Sequence, residues 1–218
     1  MLLSLFLKKR LKGFLLLEVA LVFCILGVLG AALMPLLKTA TQTSKNAQTQ
    51  QAFDRAIRSL AAYATAYQRL PCAAQADGLE CAGTYSGVIP YKTLGLEASW
   101  VQDGSGPPLS YIVTAELTNW NIVTDLDEEE TPPFSEIVAK NPLQIIDESG
   151  EIVLPFNTDQ KDFCAFVLVS IPGKAKVSGD SFLKKDAPPF VFHMPPRSSG
   201  VRARWMSRNN LCALFRPY

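Results

Sequence analysis

The sequence predicts an α+β fold: one long N-terminal α-helix, half transmembrane and half amphipathic, packed on an antiparallel β-sheet head. Three observations predict it. Phe14 to Leu37 is an apolar run broken by a single formal charge, Glu18. Beyond it Phe53, Ile57, Leu60, Ala64 and Tyr67 recur at steps of four and three, which places them on one helical face. From Pro71 onward the chain turns to short β-prone runs divided by turn residues, with no helical pattern between them, which favours an antiparallel sheet.

The first element is the membrane half, residues 14–37. At about 1.5 Å per residue it crosses a hydrocarbon core about 30 Å thick. Bulk charge says little, since Lys and Arg number 21 against 20 for Asp and Glu. Its distribution says more: Lys8, Lys9, Arg10 and Lys12 precede the run and only Lys38 closes it. The positive-inside rule then keeps the N-terminus in the cytoplasm and exports the C-terminal body. A cleaved secretory signal is the competing reading, but the run exceeds the usual h-region and no A-x-A site follows it. Glu18 is costly in such a place, about 2.5–3.5 kcal/mol at a bilayer centre, and a residue of that cost implies a partner. An interfacial Glu in an ordinary signal anchor is the plainer alternative.

The second element, residues 38–69, continues the helix. "KTATQTSKNAQTQQ" is polar and free of Gly and Pro, and the apolar stripe follows it. Pro71 disfavours helical geometry at Leu70, so the helix is expected to stop near Arg69. Gly27, Gly30 and Pro35 are its weak points, because Pro35 cannot bond to the carbonyl of Ala31.

The head, residues 70–218, begins with an irregular loop, "PCAAQADGLECAG", and an ordered connection, "VIPYKTLGLEASW". Strands are expected at Leu109–Leu117 after the turn "DGSGPP", then at Glu151–Phe156, Phe163–Ile171, Pro189–Met194 and Asn210–Phe215. Four cysteines, Cys72, Cys81, Cys164 and Cys212, fall in the exported part, an even set that suggests disulfides. Of the three pairings, Cys72–Cys81 and Cys164–Cys212 join segments expected to be neighbours; four buried thiols are the alternative. Zinc is disfavoured by the spacing and by a lone histidine.

These residues resemble the type IV pilins and the related pseudopilins of type II secretion systems. The leader ends in Lys12-Gly13, Phe14 follows, Glu18 is fifth after the cut, and Pro35 stands where pilins often carry a proline. The resemblance covers residues 8–69. It implies removal of residues 1–13 by a membrane aspartyl prepilin peptidase and methylation of the new N-terminus of Phe14. Its further implications are a single-pass inner-membrane protein with a periplasmic head, and assembly with other pilins or pseudopilins through an inner-membrane platform. Cleavage would also supply the missing partner, a cationic amine on Phe14 facing Glu18 of an adjacent subunit. In the head, a Pro-Cys loop, a "PY-TLGL" segment and an Asp-x-x-Gly-x-x-x-x-Tyr turn-strand are similar to pilin-like heads, although Ser105-Gly106 stands where Trp-Gly is common. The large head and this departure suggest a minor subunit.

Other candidate sites are weaker. Asp125 to Glu130, "DLDEEE", gathers carboxylates for Ca²⁺ but lacks the alternation and glycine of a dedicated loop. Arg202, Arg204 and Arg208 around Trp205 form a candidate ligand surface, for DNA or for an acidic face of another subunit. His193 has no acid or cysteine at useful spacing, and no nucleophile elbow, P-loop or dinucleotide fingerprint occurs. No enzyme is therefore expected. The reading is a structural filament subunit without cofactor; the alternative is a non-polymerising, membrane-anchored adhesion, receptor or DNA-binding head.

Overall fold

A computed structural model describes residues 2–118, 134, 137, 139, 141–153, 162–172 and 191–214; side chains at 2–15, 32–33, 36–37 and 197 lie outside the description. Helix α1 runs Leu2–Tyr67 with Pro35 inside it. The chain divides within this helix into two units, residues 1–46 and 47–218. In the first unit, described side chains are exposed on every face of the helix up to Lys45.

The second unit is α+β. Its strands are β1 (Ser86–Val88), β2 (Ser110–Val113), β3 (Gln144–Ile146), β4 (Cys164–Ser170), β5 (Val191–His193) and β6 (Arg202–Ser207), followed by helix α2 (Arg208–Leu214). β1, β2, β4 and β6 form a four-stranded antiparallel sheet in the order β1-β2-β4-β6. All seven residues of β4 are buried, as expected of a strand covered on both faces.

Alternation along β2 and β4 sends side chains into two cores. Tyr111, Val113, Phe166 and Leu168 join Ala52, Phe53, Ala56, Leu60 and Ala64 of α1, while Ile112, Val167 and Val169 join Leu143, Ile145 and Phe192 beneath the other face. A register shift between Cys164 and Phe166 lets the adjacent Ala165 and Phe166 enter the same core. Four alanines, at 52, 56, 61 and 64, line the buried stripe of α1, small side chains that let a helix backbone approach a sheet.

The expectations meet this fold unevenly. The helix ends at Tyr67 with Gln68 at φ 54°, a left-handed residue that closes the last turn, and the side-chain amide of Gln68 donates to the Thr65 carbonyl at 3.1 Å. Of the expected stripe, Phe53, Leu60 and Ala64 are buried and Ile57 is half-buried, but Tyr67 is 61% exposed. The helix turns it outward, where it stacks on Tyr63 at 4.4 Å between ring centroids.

The strand expected at Leu109–Leu117 shortens to β2, because Ala115–Leu117 forms a 3-10 turn. Asn210–Phe215 is corrected: its described part belongs to α2, whose Leu211 reaches the α1-side core. β1, β3 and β6 were not expected, and β3 pairs with β5 in parallel, so the head is not purely antiparallel. Of the expected strand at Glu151–Phe156, residues 154–156 lie outside the described residues and Ile152 makes one bridge to Ile146.

Candidate functional site

The residues with most to do lie on α1. Leu16, Leu17, Val19, Leu21, Val22, Phe23, Ile25 and Leu26 are all exposed, Leu16 at 73% and Phe23 at 69%. A helix apolar on every face is one that other apolar matter surrounds, either lipid or neighbouring helices. Glu18 is exposed among them. Only the backbone of Lys12, Gly13 and Phe14 is described, inside α1. Among the described residues no helix is long and apolar enough to cross a membrane; the expected span includes six positions whose side chains lie outside the description.

Where the apolar stretch ends the helix changes character. Thr39 Oγ1 donates to the Pro35 carbonyl at 2.9 Å, Thr41 Oγ1 to Lys38 O at 2.9 Å, and Thr43 Oγ1 to Thr39 O at 3.0 Å. These bonds reuse carbonyls on a helix that Pro35 deprives of one donor, and such back-bonding tends to bend a helix.

Comparison with protein-family models, curated proteins and solved structures finds no match. The chain's own residues therefore carry the functional reading.

The expected Arg–Trp surface is dispersed by the period of a strand. Arg204 lies on the α1 side of β6, paired with Asp54 and 6.0 Å from the centroid of Phe53, and is exposed. Trp205 points the other way and packs on the second core. Arg202, two residues before Arg204 on the strand, falls on the Arg204 side. Arg208 is buried in α2, donating to the Ile137 carbonyl at 2.7 Å and to Asn209 Oδ1 at 3.0 Å, and burial lowers its pKa from the usual arginine value. Arg202 and Arg204 thus share a face, while Trp205 and Arg208 do not join them.

Among the described residues no two cysteines are joined in a disulfide. Cys164 belongs to the second core and Cys212 packs against the α1-side core, so the sheet separates them. Burial pushes the Cys164 thiol well above its usual pKa. Cys72 is buried and Cys81 half-buried, on segments joined by the Cys81 N–H bond to Ala73 O at 3.1 Å.

Sequence reasoning missed a polar knot at the head end of α1. Arg69 grips Glu80 with both guanidinium nitrogens, at 2.8 and 3.0 Å, and Glu80 also accepts from Cys72 N–H and Tyr63 O–H at 3.3 and 3.4 Å. Arg69's hydrogen bond holds the Glu80 carboxyl below the usual range, and burial with Glu80's charge lifts Tyr63 to about 12. No sequence spacing announces it, because an eleven-residue separation is closed only by the loop. Among the described residues no group of three or more His, Cys, Asp or Glu is placed to hold a metal; Asp125–Glu130 lies outside them.

Proposed function

We propose that this chain is a structural, minor subunit of a type IV pilus-like filament or secretion pseudopilus, acting by assembly and not by catalysis. The observation that carries the reading is α1 itself: a stretch apolar on every face with one acid, Glu18, prolonged into a helix whose far end is built into an α+β head. An all-apolar helix without a covering layer is suited first to a bilayer and then to a bundle of like helices. In that bundle Glu18 pairs with the amine that cleavage after Gly13 leaves on Phe14 of a neighbour. The pair fixes the axial step, because each low-dielectric charge needs its partner at one height. Export places the head in the periplasm, and the prepilin peptidase and inner-membrane platform are the partners of maturation.

The test is the intact mass and N-terminal sequence of the protein from its native membrane, with Gly13→Ala and Glu18→Ala variants beside it. A chain starting at Phe14, with processing impaired in the first variant and filament incorporation impaired in the second, is the expected result. A mature chain that keeps residues 1–13 overturns it and returns Glu18 to an interfacial role.

A further inference from the structure

The helix is fastened to the head at its entry point by hydrogen bonds and, one turn later, by apolar packing. Thr49, two residues inside the second unit, is 6% exposed, and its hydroxyl accepts the N–H of Gly104 at 3.0 Å. Gly104 belongs to the turn Asp103–Pro107. That turn is closed by Gly106 N–H on Asp103 O at 3.0 Å and by Asp103 N–H on Pro107 O at 2.8 Å. Gly106 stands at φ 106°, open to glycine and closed to most side chains.

Asp103, 2% exposed, is the turn's pivot: Oδ1 accepts Ser105 N–H at 2.7 Å and Oδ2 accepts the hydroxyl of Ser170, on β4, at 2.9 Å. A chain of short contacts therefore runs from the helix through one turn to the central strand. Upstream, side chains 38–45 are exposed; downstream, Ala52 and Phe53 are the first buried apolar residues.

We propose that Thr49, the Asp103–Pro107 turn and Ser170 form a clasp that sets how far along α1 the helix is held by the head. Closed, it holds residues 47–52 against the head; open, those turns leave the head while Phe53 to Ala64 stay packed. The fastening consists of hydrogen bonds, whose small net worth suits it to open locally well before the cores do. The inference concerns the head alone and stands or falls separately from the filament reading.

The experiment is amide hydrogen exchange on the full chain in detergent micelles, comparing Thr49→Val, Ser170→Ala and the double variant. Val keeps the shape of Thr49 and removes the acceptor. Loss of one such bond should speed exchange at Gly104 and at residues 50–53 about three- to ten-fold, with Val113, Val167 and Val169 unchanged. Ser170 hydrogen-bonds Asp103 and not the helix, yet Ser170→Ala should speed the same helix amides, and the double variant should add less than the sum of the two. Equal acceleration in the sheet strands, or helix amides indifferent to Ser170→Ala, overturns the clasp.

Discussion

Gly87 shows how one missing methyl group shapes the head. A Cβ built there would stand 2.4 Å from the backbone oxygen of Ala74, which already exchanges two 2.8 Å hydrogen bonds with Val88. Nothing at that contact is a flexible side-chain end, so the ladder itself would have to move. Gly87→Ala should destabilise the protein by about 1–3 kcal/mol, read as a lower denaturation midpoint of the full chain in detergent. Across the same strand pair, the hydroxyl of fully buried Tyr111 donates to the Pro71 carbonyl at 3.2 Å, and its pKa stands well above normal because burial excludes the phenolate. Tyr111→Phe keeps the ring and strands the carbonyl, a cost of about 1–3 kcal/mol in the same measurement. Gly87 does not stand out in the sequence, and Tyr111 does so only as the last residue of the Asp-x-x-Gly-x-x-x-x-Tyr pattern, which names no partner for its hydroxyl. A glycine in a strand and a tyrosine in an apolar run are ordinary until the fold supplies Ala74 and Pro71.

At the scale of elements, the end of α1 is secured electrostatically. Glu80 binds Arg69 one residue after Gln68 has turned the chain back, so the pair holds the loop from Pro71 to Cys81 against the helix end. Because Arg69 holds the folded carboxyl below the unfolded value, the contribution is fully present above the ordinary glutamate pKa of about 4.3. It is lost as pH falls through the depressed folded value. The pair is partly exposed, so its worth is about 0.5–1 kcal/mol. Glu80→Gln should lower stability at pH 7 by that amount and flatten the acid limb of the stability curve; an unchanged limb would mean that other carboxylates govern it. The stripe on α1 was legible because a helix repeats its contacts every three or four residues. Tyr67 escaped the rule because the helix ends there and its last residue is free to turn outward. β6 was missed for a different reason: in "RARWMS" the arginines read as a charge cluster, while the period of two that sends Arg204 and Trp205 to opposite faces is the signature of a strand. "NLCALF" read as a strand from composition, yet the Ser207 hydroxyl accepts the Asn210 N–H at 3.2 Å and caps a helix that begins just upstream at Arg208. The parallel pairing of β3 with β5 depends on contacts nearly fifty residues apart, which no local pattern encodes.

For the whole molecule, the division of α1 matters most, since one helix serves two environments: exposed apolar faces through residue 31, and a stripe buried against a sheet from Ala52 to Ala64. Under the proposed filament reading, a head built on the end of such a helix is carried wherever the helix packs, so the apolar part would decide assembly and the head what the assembly displays. Under the proposed reading Glu18 contributes nothing to the fold of the head and acts only between copies. Glu18→Gln should therefore leave the unfolding midpoint of the head unchanged and act on incorporation alone. Removing one member of a low-dielectric pair costs about 3–5 kcal/mol, which corresponds to a loss of roughly 100-fold or more in incorporation. Co-expression with wild-type chains sharpens the prediction. A subunit carrying Glu18→Gln still offers its own Phe14 amine to a wild-type Glu18, so it should enter mixed filaments more readily than filaments of variant alone. A non-polymerising anchored head predicts instead that Glu18→Gln changes neither quantity, and quantifying variant and wild-type chains in sheared filaments against total membrane separates the two.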